Sequence, residues 1–374
     1  MKNLFKYALL LSAAVMLFAC GEKNEDTSVT DKASKLYILS DKDVIQSNGQ
    51  DIATLKVYLD GVDVTAESVI YIYNGKNSEV LASGDGRFVA ENDGEYKFWA
   101  EHGTYLTFSG KVQDAEHFTI KAISVPVPEA VEDTDKGNIS FVHRAFLTQY
   151  TGIQCGYCPY MIRILKELIA DGTISNKAVL VACHSGFNSG DPAKISAPAS
   201  PADYPYLQVG LSQGFSHEQG SSMLYSYISK EIASDAKAGI SINPILYDDG
   251  TLVIKTSVKA SVDGDYRVGA WLMEDGIYAT QSDYNNIGDE SYNIHNNCAR
   301  LIESRYDGSW VGKPLGNIKA GESLEKTFVM YVKNSWKKEN LHVALIVSVK
   351  QGNKYVVCNA IDCPIDAPTP FEYK

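Results

Sequence analysis

After its first 19 residues the chain has no uncharged apolar run that could span a membrane, since a spanning helix needs about 20 apolar residues. A polytopic membrane protein is therefore excluded. Positive charge is also scarce: 34 Lys and Arg residues face 46 Asp and Glu residues, and the net charge of −12 argues against a nucleic-acid partner. The motifs G-x-S-x-G and H-E-x-x-H, the P-loop and the dinucleotide fingerprint are missing too. Hydrolase and nucleotide-enzyme functions thus have no support.

The N-terminus has the pattern of an export signal. Lys2 and Lys6 give residues 1–19 a positive start, and an uncharged apolar stretch follows. This stretch ends in Leu-Phe-Ala-Cys-Gly, which resembles the bacterial lipobox, whose cysteine becomes the lipidated first residue. We predict that Cys20 is lipidated and that its acyl chains make the membrane a partner of the protein. An ordinary signal peptide, or a short membrane anchor with an incidental cysteine, is the alternative.

The residues after Cys20 indicate in which membrane the protein is anchored. Gly21, in place of Asp, favours the outer membrane by resemblance to lipoprotein sorting. Residues 20–34 form a tether whose acidic start is similar to the surface-export tethers of Bacteroidetes lipoproteins, with a charged, solvated linker as the alternative. We therefore predict a lipid-anchored outer-membrane protein, on either the periplasmic or the cell-surface side.

Residues 35–123 have the pattern of an antiparallel β domain. Short alternating runs, among them Ala53 to Leu59 and Tyr96 to Ala100, are separated by Asn-Gly and Asp-Gly turn signals. The segments Gly61 to Thr65 and Asn92 to Phe98 resemble bacterial immunoglobulin-like modules that raise a functional domain off a membrane. Residues 124–139 are rich in proline and then acidic, which is typical of a linker.

In residues 140–242 the pattern changes from strands alone to alternating strands and helices. Apolar spacing predicts a strand, a helix, a second strand and a second helix, with the two strands parallel because a helix connects them. The predicted bounds are Ser140 to Tyr150, Pro159 to Ala170, Ala178 to His184, and Leu224 to Ala238 with Gly239 as the helix stop.

A C-x-x-C motif, Cys155-Gly156-Tyr157-Cys158, lies between the first strand and its helix. A cysteine at a helix N-terminus faces unpaired N–H groups, which stabilise the thiolate and lower its pKa. Cys155 is therefore the candidate nucleophile, and Cys158, one turn inward, is the candidate resolving thiol. Half of a zinc site, completed by Cys183 and His184, is an alternative, as is a structural disulfide in an inactive scaffold.

These residues carry a family resemblance. The string Phe146 to Gly152, then Cys155 to Pro159, then a strand ending in His184 is similar to the Bacteroidetes lipoprotein family named after a 28-kDa outer membrane protein. That family also continues into a β-rich region with a Tyr-Asn-x-His element, here Tyr292 to His295. The resemblance covers about residues 140 to 360 and implies a thioredoxin-like core.

One expected feature of a thioredoxin-like oxidoreductase is not visible in the sequence. A cis-proline usually faces the C-x-x-C, but the chain has Gly214-Phe215-Ser216-His217 where the family usually has Gly-aromatic-Pro. Pro205 lies in a segment rich in small residues and proline that we interpret as an insertion. His217 could instead support the Cys155 thiolate, or be an exposed loop histidine.

From residue 243 to 374 strand patterns return, with turns at Asp263-Gly264 and Gly352-Asn353, and predict a C-terminal β-sandwich. Its Cys298 is predicted to pair with Cys358 or Cys363 in a structural disulfide, a choice that the sequence leaves open. We expect no cofactor and no metal. The run Tyr292 to Arg300 could bind a ligand, but a hydrogen-bonded structural loop is the favoured interpretation.

The predicted fold class is thus α+β multidomain, with an Ig-like β-sandwich module, a thioredoxin-like α/β domain with a C-x-x-C, and a C-terminal β-sandwich. Two functions are compatible with it. The first is a cell-envelope binding or scaffold protein that keeps Cys155 and Cys158 as a disulfide, with envelope proteins as partners. The second is a thiol-disulfide oxidoreductase or isomerase, with protein thiols or disulfides as substrates.

Overall fold

The computed structural model describes residues 35–170, 172, 174–186 and 190–374. The predicted signal peptide, the lipidation site Cys20 and the tether lie outside the described residues. Strands dominate, helices are few, and no helix in the described part of the chain is long and apolar enough to cross a membrane. The chain divides after Ser124 into two compact units.

The described part of the first unit consists of short strands and two 3-10 turns, Thr65–Glu67 and Val112–Asp114. The strands are β1 (Leu36–Ser40), β2 (Val44–Gln46), β3 (Ala53–Leu59), β4 (Val62–Asp63), β5 (Val69–Tyr73), β6 (Ser78–Val80), β7 (Arg87–Phe88), β8 (Gly94–His102), β9 (Tyr105–Leu106) and β10 (Phe118–Ile123). They form one sheet of order β1-β3-β4, with β7 also paired to β3, and another of order β2-β10-β8-β5-β6, with β9 paired to β8. Alternate side chains of both sheets share one core, which contains Leu55 and Val57 from β3 and Phe98 and Ala100 from β8.

The second unit contains the remaining strands and both described α-helices. In chain order they are β11 (Ala145–Thr151), α1 (Cys158–Ala170), β12 (Ala178–His184), β13 (Tyr206–Val209), β14 (Gln213–Ser216), α2 (Gly220–Ala233), β15 (Ala238–Leu246), β16 (Thr251–Ala260), β17 (Gly264–Glu274), β18 (Ile277–Tyr278), β19 (Ile294–His295), β20 (Cys298–Glu303), β21 (Lys313–Ile318), β22 (Ser323–Tyr331), β23 (Leu341–Gln351) and β24 (Lys354–Pro364). Three 3-10 turns accompany them in the described residues, at His217–Gln219, Glu290–Asn293 and Lys338–Asn340.

One long sheet runs through this unit in the order β14-β13-β11-β12-β20-β17-β23-β24, with β21 paired to β17. A second sheet, β15-β16-β22, faces part of it across a large apolar core, and β18 pairs with β19. β17 is central in the long sheet and covered on both faces, so its residues form a nearly continuous buried run. Leu272 faces the core shared with the second sheet, whereas Trp271 on the opposite face packs in a separate cluster with Phe146.

The β11-α1-β12 segment is the predicted parallel unit, with Ala145 opposite Ala178 and Thr151 opposite His184. Helix α1 buries Met161, Leu165 and Leu168, spaced at three and four residues, against the sheet. β13 and β14 then continue the sheet as an antiparallel pair on the other side of β11.

Several predicted boundaries differ from the structure. The first strand begins at Ala145 rather than Ser140, and α2 ends at Ala233 rather than Ala238. Gly239 is not a helix stop but lies in β15 beneath Phe141, whose ring would be 2.3 Å from an added Cβ. The predicted domain boundary at 242/243 falls inside β15, and the long sheet crosses it, because β12 pairs with β20 through Ala182 and Cys298.

The segment that we predicted as a linker belongs, from Val125 onward, to the second unit and is hydrogen-bonded within it. Backbone carbonyls of Pro126 and Glu129 accept hydrogen bonds from the side chains of Tyr247 and Asn243. Lys259, which is 1% exposed, donates to Asp133 and to the carbonyls of residues 135 and 136. The acidic residues of this segment therefore include a partner for a buried amine.

Candidate functional site

The two cysteines of the C-x-x-C motif form a disulfide in the turn between β11 and α1. Cys158 is the first residue of α1, and Cys155 precedes it with a Cα–Cα distance of 5.3 Å. The turn is closed by backbone hydrogen bonds from Cys155 N to Gly152 O (3.0 Å) and from Cys158 N to Cys155 O (3.1 Å). Cys155 is 2% exposed and Cys158 is fully buried. Both sulfur-bearing residues are therefore covered by other parts of the chain.

The segment 281–284, more than 120 residues further along the chain, is hydrogen-bonded to this turn, and we name it the capping segment. The Gln281 side chain donates to Cys155 O at 2.9 Å, and Ser282 N donates to Ile153 O at 2.7 Å. Tyr284 N donates to Gly156 O at 3.1 Å. The capping segment is thus joined to the C-x-x-C turn by two backbone hydrogen bonds and by the Gln281 side chain.

The Tyr284 ring lies directly on Gly156. A Cβ added to Gly156 would be 2.4–2.5 Å from three carbons of that ring, which is far inside van der Waals contact. The glycine between the cysteines therefore allows the close approach of the capping segment. Tyr157, the exposed residue of the motif, packs edge-on against Tyr284 with ring centroids 5.4 Å apart.

His217, the predicted supporting base, lies in the 3-10 turn that precedes α2. Its ring stacks on Tyr160, with centroids 5.2 Å apart, and more distantly on Tyr157 at 6.4 Å. The described contacts of His217 are thus with the aromatic rings at the start of α1. A role towards the Cys155 sulfur stays a prediction.

A buried polar cluster on the other side of the turn joins β12 to β20. His184 Nδ1 lies 2.9 Å from Asp191 Oδ2, and His184 Nε2 lies 3.6 Å from the Cys298 sulfur. Asp191 Oδ2 also accepts a hydrogen bond from Ile153 N in the C-x-x-C turn, at 3.0 Å. The His295 ring packs edge-on against His184, with centroids 5.0 Å apart. The cluster therefore ties the turn to both strands.

Electrostatics make this cluster structural rather than nucleophilic. Burial alone would raise the pKa of Asp191, but hydrogen bonds and charge from His184 outweigh it and lower the pKa to about 2. Burial raises the pKa of Cys298 well above its ordinary value, so its thiol stays protonated at neutral pH. Burial and then the neighbouring His184 charge lower the pKa of His295, which favours a neutral ring.

The zinc alternative does not fit this arrangement. Cys183 and His184 are neighbours on β12, and their side chains point to opposite faces of the sheet, so Cys183 lies in the apolar cluster around Trp271. Among the described residues no group of three or more His, Cys, Asp or Glu side chains could hold a metal ion.

The predicted C-terminal disulfide is wrong, because Cys298, Cys358 and Cys363 are all free thiols. Cys298 faces His184 in a small cluster with Ala193, whereas the two cysteines of β24 belong to the core between the sheets. The Cys363 sulfur instead contacts Ala367 O at 2.9 Å. The C-terminal region is therefore held by packing and backbone pairing.

The expectation that no cis-proline faces the motif is also wrong. The Tyr204–Pro205 bond is cis, and Pro205 immediately precedes β13. Because Tyr206 pairs with Tyr150 in antiparallel register, Pro205 lies beside the end of β11, where the C-x-x-C turn begins. Sequence analysis missed it because we assigned Pro205 to an insertion and did not recognise Tyr206–Val209 as a strand.

Several residues of the site were not recognised in the sequence, namely Asp191, Gln281 and Tyr284. Gly156 was the one available signal, since a glycine between two cysteines permits close approach of another segment. The element Tyr292 to Arg300 was singled out as a polar loop, and the structure resolves it into a 3-10 turn and the strands β19 and β20.

Comparisons with known proteins found a family model and several solved structures to which this chain is similar. Residues 214–363 match the model of a protein family described as outer membrane protein Omp28. A solved structure of HBP35 of Porphyromonas gingivalis is 17% identical, covers 62% of this chain and 78% of its own, and superposes with a TM-score of 0.49. A domain of the outer membrane lipoprotein Omp28 from Porphyromonas gingivalis is 15% identical, covers 36% of this chain and 90% of its own, with a TM-score of 0.24. Among curated proteins none matches this chain. The family match confirms the predicted outer-membrane location.

Proposed function

We propose that this chain is a lipid-anchored binding or scaffold protein of the cell envelope, and the match of residues 214–363 to the Omp28 family model supports this. In this proposal Cys20 holds the protein to the membrane, and Cys155 and Cys158 remain a closed disulfide. The disulfide stabilises the turn on which the capping segment rests.

A thioredoxin-like core is part of the proposal. The order β14-β13-β11-β12, with α1 crossing between the two parallel strands and α2 following β14, supports it. So does the position of the C-x-x-C at the start of α1. The fold alone does not imply catalysis.

The N-terminal β module is proposed as an Ig-like spacer between the lipid anchor and this core. Support comes from its paired sheets around one apolar core and from its position in the chain, directly after the tether. No cluster of catalytic side chains is found among its described residues, which fits a spacer.

One observation carries the scaffold proposal: Cys155 is 2% exposed beneath the capping segment. Exchange requires an incoming thiolate to approach a disulfide sulfur in line with the S–S bond. Gln281 and Ser282 are hydrogen-bonded to backbone carbonyls of the turn, at 2.9 and 2.7 Å. In this proposal a protein substrate reaches the sulfur only when the turn and the capping segment separate.

The test is a redox titration of the full-length protein in detergent micelles. The Cys155/Cys158 pair is equilibrated with dithiol buffers, trapped by alkylation and read by mass. A potential below about −300 mV, with Cys155 unreactive until the protein is denatured, is expected for a structural disulfide. A potential above about −230 mV with rapid alkylation of Cys155 near neutral pH would refute the scaffold proposal.

A thiol-disulfide oxidoreductase is the second candidate, favoured by the placement of both cysteines at the N-terminus of α1. In that reaction the Cys155 thiolate attacks a substrate disulfide, expels one substrate thiolate and forms a mixed disulfide. Cys158 then attacks Cys155, releases the second substrate thiol and restores the Cys155–Cys158 bond. This function requires the capping segment to open. It therefore predicts a potential above about −230 mV and rapid alkylation of Cys155 in the titration.

A further inference from the structure

A cavity of about 120 Å³ lies between α1, the ends of β11 and β12, and residues 292–297. Its apolar wall is formed by Ile162, Leu165 and Ile169 of α1 and by Leu180 of β12. The cavity is partly open to solvent and lies on the sheet face that α1 covers. A small molecule can therefore enter it without any change in the fold.

Two polar side chains in this cavity have no hydrogen-bond partner. Gln149 Nε2 and Thr151 Oγ1 are buried and unpaired, although their residues are only 5% and 3% exposed. Both residues follow Leu147 on the same face of β11, where the apolar core under α1 gives way to the cavity. Unpaired buried donors are costly, so their presence in a cavity points to a ligand that accepts hydrogen bonds there.

The charged residue in the cavity lining indicates which kind of hydrogen-bond acceptor the ligand carries. Among the described lining residues Lys166 carries a full charge and none is acidic. Its ammonium contacts Ser291 Oγ at 2.7 Å and lies 4.2 Å from the centre of the Tyr292 ring. This cation is held beside the cavity, where it favours an anionic head group.

We propose that the cavity binds a small aliphatic carboxylate, with its oxygens accepting hydrogen bonds from Gln149 and Thr151 and its chain against the apolar wall. A cavity of about 150 Å³ encloses benzene, so this one encloses about five non-hydrogen atoms, and its open side leaves room for one or two more. The inference rests on the binding role proposed above. Binding to this cavity does not depend on the redox state of Cys155. A negative binding assay would therefore refute the cavity proposal alone, and a high redox potential would refute the scaffold proposal alone.

The probe is valerate, which has seven non-hydrogen atoms, and the method is saturation-transfer NMR on the full-length protein in deuterated detergent. Valeramide, of the same size and uncharged, measures the contribution of the anionic head. We expect valerate to bind with a Kd on the order of 1 mM and valeramide several-fold more weakly. No saturation transfer to valerate at tens of millimolar would overturn the proposal.

Two isosteric variants of β11 locate the site. Thr151→Val removes the cavity hydroxyl and is expected to weaken valerate binding about tenfold while leaving the thermal midpoint unchanged or raised. Thr148→Val is the matched control, because the Thr148 hydroxyl is also buried and unpaired but points to the opposite face of the same strand. It should leave valerate binding unchanged. Equal effects of both variants on binding, or a normal Kd for Thr151→Val, would refute the assignment.

Discussion

The contact between Gly156 and the Tyr284 ring gives a direct way to measure how firmly the disulfide is covered. In Gly156→Ala the new methyl group would lie 2.4–2.5 Å from three carbons of the ring. Carbon atoms pack at roughly 3.5–4.0 Å, so the ring must move by about 1 Å or more. It is free to do so, because Tyr284 is 67% exposed. The substitution is therefore expected to lift the capping segment rather than to unfold the protein.

The size of the effect follows from the contacts that are lost. Displacing the ring breaks its edge-on contact with Tyr157, worth about 1 kcal/mol, and the bond from Tyr284 N to Gly156 O, worth about another 1 kcal/mol. The free energy of opening should thus fall by about 2 kcal/mol, which corresponds to an open population about 30-fold larger. Reduction of the disulfide by dithiothreitol should accelerate by about the same factor, since it proceeds from the open form.

The assay is a single-turnover reduction of the full-length protein by excess dithiothreitol, quenched with acid and read by alkylation with a heavy maleimide. Tyr284→Ala provides the second arm of a double-mutant cycle. It should itself speed reduction several-fold, and in its background Gly156→Ala should have almost no further effect because the ring is gone. An equal acceleration by Gly156→Ala in both backgrounds would show that the ring is not what covers the disulfide.

Two further predictions concern stability. Burial lowers the pKa of His342, but Asp275 and Asp362 outweigh it and raise the pKa to about 9, above the ordinary 6.5. The resulting stabilisation, about 3 kcal/mol, is therefore fully present below about pH 6.5 and lost as the pH rises through about 9, and urea unfolding across this window should show the loss. Lys259→Met should cost about 3 kcal/mol in the same assay, because it leaves Asp133 without the ammonium that lies 2.7 Å away.

Each of these two predictions has a control variant: a substitution of His342 for the pH dependence, and a substitution in a second ion pair for Lys259→Met. His342→Gln should flatten the pH dependence, and an unchanged slope between about pH 6.5 and 9 would refute the assignment to this ring. Lys255, on the same strand as Lys259, pairs with the half-exposed Glu325, so Lys255→Met should cost less than about 1 kcal/mol. Equal losses for the two lysine variants would contradict the buried-pair argument.

The strands and helices whose bounds could be predicted are those whose apolar spacing is visible in their own residues, without partners elsewhere in the chain. Ala53–Leu59 and Ala178–His184 have the predicted bounds, since each is an apolar or alternating run of seven residues that is rich in β-forming residues. Helix α1 starts one residue early, at Cys158, because the motif cysteine already belongs to its first turn. Local sequence was sufficient in these cases.

Where long-range contacts decide the structure, local patterns failed. Gly239 resembles a helix stop in sequence, but it lies in a strand, where it pairs with Lys259 and is covered by Phe141, almost a hundred residues earlier. The capping segment has no motif of its own, and its hydrogen bonds to the C-x-x-C turn span more than 120 residues. Cys298 was predicted to form a disulfide from composition alone, whereas its neighbour in space is His184. Spatial partners of this kind leave no periodic trace in one sequence.

The C-x-x-C turn is hydrogen-bonded on two sides, and both sides lead to residues 214–363. On one side Asp191 binds Ile153 N and, through His184, reaches Cys298 of β20. On the other side Gln281 binds Cys155 O. Both Cys298 and Gln281 lie within residues 214–363, which match the Omp28 family model. Full exposure of the Cys155 sulfur therefore requires these residues to release the turn, so any redox turnover of this motif would be coupled to that release.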